Sequence, residues 1–110
     1  MFTSQDAIQK VKKNEMKALF YFDICKPYAA EKYLVRNLKK QTTSFLTYNL
    51  LVKIYHQKKD YSALIKVLNS GIRNTSNKSK YRKLKKQVMV SKLLHDIFNA
   101  SAPVQSTDIN

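Results

Sequence analysis

A chain of 110 residues with 44% apolar content can bury one small core, and its 21 Lys and Arg against 7 Asp and Glu give a formal net charge of +14. One Gly and two Pro leave too few breakers for the turns of a β-rich fold, so an all-α domain is expected. The lone Cys25 excludes an internal disulfide, and no stretch approaches the roughly 20 apolar residues of a membrane span.

The first predicted helix runs from Ser4 to Cys25. Thr3 and Asp6 have capping-box spacing ahead of it. Ile8, Val11, Glu15, Ala18, Leu19 and Phe22 recur at helical intervals. Its end, Leu19 to Cys25, is apolar nearly all round, which predicts burial on more than one side and a Cys25 that serves as a small buried hydrophobe. Met1 to Lys13 has no apolar run for a signal peptide and carries Lys where a transit peptide has Arg.

Pro27 stops that helix and suits the first turn of the next, predicted over Pro27 to Lys40 with Ala30, Tyr33, Leu34 and Leu38 inward. Gln41-Thr42-Thr43 reads as a loop, and Thr43 or Ser44 can cap a third helix over Ser44 to Gln57. Tyr48, Leu51, Ile54 and Tyr55 share one side of it. Asp60 is a good N-cap for a fourth helix, Tyr61 to Arg73, in which Tyr61, Leu64, Ile65, Leu68 and Ile72 give the cleanest helical stripe in the chain. A fifth helix is predicted over Lys78 to Phe98, with Tyr81, Leu84, Val88, Leu94 and Phe98 inward. Residues 1–98 then form one helical domain, and residues 99–110, small and polar around Pro103, read as a disordered tail.

Five helices with short loops suggest two stacked antiparallel hairpins and a capping helix, which calls for a repeat search. Lys26-Pro27-Tyr28-Ala29-Ala30 matches Lys59-Asp60-Tyr61-Ser62-Ala63 at a spacing of thirty-three, whereas Tyr21 and Tyr55, and Leu34 and Leu68, repeat at thirty-four. Over about residues 11–78 the chain resembles the tetratricopeptide family, since Tyr48, Leu51, Tyr55, Leu68 and Gly71 fall where that repeat has its large aromatic, leucine, tyrosine, aromatic and small residue. It departs from the pattern at Val52, Ala63 and Ser76. Thr47-Tyr48-Asn49-Leu50-Leu51 also resembles the start of a pentatricopeptide repeat, an RNA-binding class, which would make Asn49 a base reader. Either resemblance implies a stack of helical hairpins that binds protein or RNA.

The functional signal is charge. Lys78, Lys80, Arg82, Lys83, Lys85 and Lys86 fall within nine residues with no acid among them. Lysines at a helix N-terminus oppose its dipole, so phosphate contact competes there with the plainer role of a solvated face. Tyr81 lies inside the cluster and is a candidate for stacking on a base, although most tyrosines stand at core spacing. Only three of the cations are Arg, namely Arg36, Arg73 and Arg82, which favours diffuse phosphate neutralisation over bidentate base contacts. His56 and His95 are far apart with no Cys or paired acid at ligand spacing, and no nucleophile, zinc or Gly-rich phosphate motif occurs, so no metal, cofactor or reaction is expected. The expectation is a soluble, non-catalytic, intracellular module in a hetero-complex. Its partner is nucleic acid, RNA ahead of DNA, through the Lys78 to Lys86 edge. The alternative is an adaptor for an acidic peptide or subunit, and an anionic membrane is disfavoured for want of Trp.

Overall fold

The computed structural model describes residues 4–108, and side chains over 5–100. Among these residues there are five helices and no strand: α1 (Ser4–Asp23), α2 (Pro27–Lys39), α3 (Phe45–Lys58), α4 (Tyr61–Asn74) and α5 (Lys78–Asp108). Each packs chiefly on its neighbours in chain order. Thr3, half of the expected capping box, lies outside the described residues.

The helix ends explain the folding back. Cys25, Gln41 and Lys59 each take a left-handed conformation, with φ of 59°, 56° and 56°. After α1, the amides of Cys25 and Lys26 donate back to the carbonyls of Phe22 and Tyr21 at 3.0 and 2.8 Å. Lys59 and Asp60 repeat the pattern after α3, onto His56 and Tyr55 at 3.1 and 2.9 Å. Such turns satisfy the orphan carbonyls of a helix end. The two turns are built alike at a spacing of thirty-four, with Pro27 and Tyr61 each opening the next helix. Pro27 therefore corresponds to Tyr61, one position from the pairing with Asp60 that residue identities suggest. Asp60 caps α4 as expected, its Oδ1 accepting from the Ala63 amide at 3.1 Å. Ser44 precedes α3 without a capping side-chain bond, and its Oγ instead donates to Glu15 Oε2 at 2.5 Å.

The core runs through the stack. Ala18, Ala30, Leu34, Tyr48, Leu51, Ile54, Leu64 and Leu68 are fully buried. A polar network crosses its α1 end. Thr47 Oγ1 donates to Glu15 Oε2 at 2.6 Å and accepts from Asn37 Nδ2 at 3.1 Å. Asn37 also donates to the Val11 carbonyl at 3.0 Å, and Asn14 Nδ2 donates to Asn37 Oδ1 at 2.9 Å. Buried polar groups need such partners.

Three expectations about burial fail. The end of α1 is not wrapped: Leu19, Phe20 and Ile24 are exposed, because α1 packs mainly on α2 alone. Cys25 is exposed, since it sits in the reversing turn outside the stack. Leu94 and Phe98 do not pack inward and are 60% and 78% exposed. At about 1.5 Å per residue, 31-residue α5 greatly outreaches 14-residue α4, whose first residue, Tyr61, meets His95, so Phe98 lies beyond α4. Leu94 stands level with Tyr61 on a side of α5 that no described helix covers. α5 runs to Asp108, through Pro103; residues 109 and 110 lie outside the described residues.

Two predictions follow from this packing. Leu68→Ala should cost about 2–5 kcal/mol in urea unfolding, because Leu68 is fully buried between neighbouring helices. The second concerns Glu31 of α2, which accepts from Tyr55 at 2.7 Å and pairs with Lys58, both on α3. Burial works to raise its carboxyl, but the Lys58 and Tyr55 donors outweigh that and hold it below its ordinary 4.5. A lowered carboxylate stabilises the fold above its unfolded value and loses that contribution as pH falls through the folded one. Stability should therefore drop on acidification below 4.5, and Glu31→Gln should flatten that part of the urea-midpoint profile.

Candidate functional site

The α4–α5 pair is set by the only glycine. A Cβ on Gly71 would lie 3.0 Å from Cδ2 of Tyr81, so the ring rests directly against the α4 backbone. Tyr81 is fully buried, its ring tilted against Tyr48 at 6.1 Å between centroids. Its hydroxyl donates to Asn49 Oδ1 at 3.1 Å. Burial, with Tyr48 nearby, pushes the phenol above its ordinary value. These contacts correct the expectation that Tyr81 stacks on bases: no face of its ring is open. Asn49 is exposed, but its carbonyl oxygen is engaged by Tyr81.

The six cations of the cluster separate into three roles. Lys78 turns back, and its Nζ donates to the carbonyls of Ile72 at 2.5 Å and Arg73 at 3.4 Å. It thus caps the C-terminus of α4, where a cation is favoured. Lys80 and Lys83 are exposed on α5. Arg82, Lys85 and Lys86 line a groove of about 510 Å³ against Ile72 and Arg73 of α4. Arg73, which the cluster's own spacing does not include, joins them because the α4–α5 turn folds back; its place in the last turn of α4 is the one hint the sequence carries. No acid lines this groove, and none of Arg73, Arg82, Lys85 and Lys86 forms an ion pair among the described residues.

Met89 links that groove to a second, of about 570 Å³, lined by Ile65, Met89, Val90 and Leu93 beside the Lys92–Asp96 ion pair. The surface between α4 and α5 is therefore cationic at one end and apolar at the other. Sequence periodicity missed the apolar end because it assigns no outward role to Val90 or Leu93.

His95 sits edge-on to Tyr61 at 5.4 Å, and no group of three metal-ligating side chains occurs among the described residues. No described helix is long and apolar enough to cross a membrane. No family model matches the chain, and no curated protein or solved structure matches it.

Gly71→Ala weighs two effects. Crowding Tyr81 should cost about 1–3 kcal/mol, whereas Ala gains up to about 1 kcal/mol of helix propensity. A net loss of about 1 kcal/mol is expected. In a Tyr81→Leu background the crowding is relieved, and the same substitution should stabilise. Denaturant titration of the four chains checks the sign reversal.

Proposed function

We propose that this protein is a non-catalytic, strongly basic helical module that docks within a nucleic-acid-associated complex and contacts phosphates through its α4–α5 edge. Ribosomal, RNA-processing and chromatin assemblies fit this chemistry, with RNA favoured over DNA. The observation that carries the reading is the convergence of Arg73, Arg82, Lys85 and Lys86, from two helices, on one groove that no acid lines. Cations held together raise the local potential, and a polyanion relieves their repulsion by neutralisation and counterion release. Four cations elsewhere support this by contrast. Lys17 and Arg36 lie over the Tyr33 ring, Lys53 over Phe22 and Lys58 over Tyr28, so aromatic faces already occupy them.

We read the two hairpins as tetratricopeptide-like, a reading supported by the matched turns at Cys25 and Lys59. An intracellular, reducing setting suits the single exposed thiol. A second reading, an adaptor for an acidic protein partner without direct nucleic-acid contact, is favoured by the apolar groove around Met89.

Salt-dependent titrations of RNA and DNA test the proposal. Replacing Arg82, Lys85 and Lys86 by Gln should weaken binding and reduce the salt slope by about 0.7–0.9 per lost phosphate contact. Replacing Lys78, which caps α4, should reduce the slope less and lower stability. Unchanged affinity and slope in the triple variant would make the groove a solvated face. Failure of the wild type to bind at low salt leaves the adaptor reading.

A further inference from the structure

The phosphate reading leaves the second half of α5 without a role. Met89, Val90 and Leu93, which line the second groove with Ile65, are 51%, 57% and 60% exposed. Scattered apolar residues on a surface mean little, but a contiguous patch of this kind marks an interaction site. Their order is regular. Lys83, Lys86, Val90 and Leu93 follow one another at alternating steps of three and four, the spacing of a seam between packed helices. The seam is cationic at its first two positions and apolar at the next two, and the groove beside it repeats that division.

We propose that this face seats an amphipathic helix of a partner protein. The partner's apolar stripe packs on Ile65, Met89, Val90 and Leu93, and acidic residues at one end of it lie over Arg82, Lys85 and Lys86. The seam spacing argues for a helix, because knobs from a facing helix enter holes of that period. Charge selects the partner. A second copy of this chain would bring another +14 and the same cationic turn. An acidic helix end meets those cations with opposite sign, which favours encounter and fixes direction along the groove. Along α5 the two grooves run from Arg82 to Asp96, about 21 Å, matched by a partner helix of about 14 residues. The inference shares cations with the phosphate reading but stands on the apolar face, so apolar substitutions separate the two.

The test uses a phage-displayed library of helical peptides about 16–20 residues long, selected against the full folded chain. Enriched peptides should carry large apolar residues at steps of three and four, with Asp or Glu gathered at one end. Leu93→Ser and Val90→Ser, both at exposed positions and neutral in charge, should each weaken a selected peptide at least about tenfold. Both should keep the wild-type circular dichroism and the wild-type affinity for nucleic acid. Peptides without acidic bias, or binding indifferent to both substitutions, would overturn the proposal. So would a monomer–dimer equilibrium in sedimentation, or binding to phosphatidylserine vesicles, that Leu93→Ser abolishes.

Discussion

Tyr81 lies directly on the backbone of α4 because residue 71 has no side chain to hold it away. That contact determines how close α5 comes and which way it turns. Once the Tyr81 ring is fixed against Gly71 and Tyr48, with its hydroxyl on Asn49, the residues beside it have no choice of direction. Arg82 and Lys85 must border α4, and Lys80 and Lys83 must face outward. The chain places its one glycine at this crossing and accepts left-handed Cys25, Gln41 and Lys59 at its turns. Left-handed backbone is unfavourable for such residues, so the close approach of two helices is where the absence of a side chain matters most.

The other end of the stack is held by a different device. Glu15, nearly buried, receives two hydroxyl donors, and Asn37 bridges α1 and α3. A buried carboxylate with unmet bonding would be costly, but among the described residues no buried side-chain polar atom lacks a partner. Thr47 donating to Glu15 stands thirty-four positions before Tyr81 donating to Asn49, so the same crossing is bridged by a small polar pair at one level and a large aromatic at the next.

The handling of like charge links fold to function. A chain this basic keeps several cations over aromatic rings and pairs Lys58 with Glu31 across α2 and α3. Lys78 helps by turning back on the carbonyls of α4. Arg73, Arg82, Lys85 and Lys86 converge on the α4–α5 edge, beside an apolar stretch that no described helix covers. An edge with two adjoining chemistries offers both a polyanion and a folded partner something to recognise.

The amino-acid sequence by itself determined the five helices and their order, because helical periodicity, Pro27 and the Asp60 cap act within a few residues. It also determined the buried stripe of α3 and the presence of a cationic cluster after Asn77. Tertiary structure alone decided what each face meets. Periodicity shows that Leu94 and Phe98 share a side of a helix, but not that this side stays exposed and that α4 ends before reaching Phe98. It puts Tyr81 among lysines, but only the α4 crossing makes that ring a core residue, sends Lys78 backward and lines one groove with both Arg73 and Lys85. A local pattern fixes the direction of a side chain about its own helix axis; whether another helix or water stands in that direction depends on contacts distant in sequence.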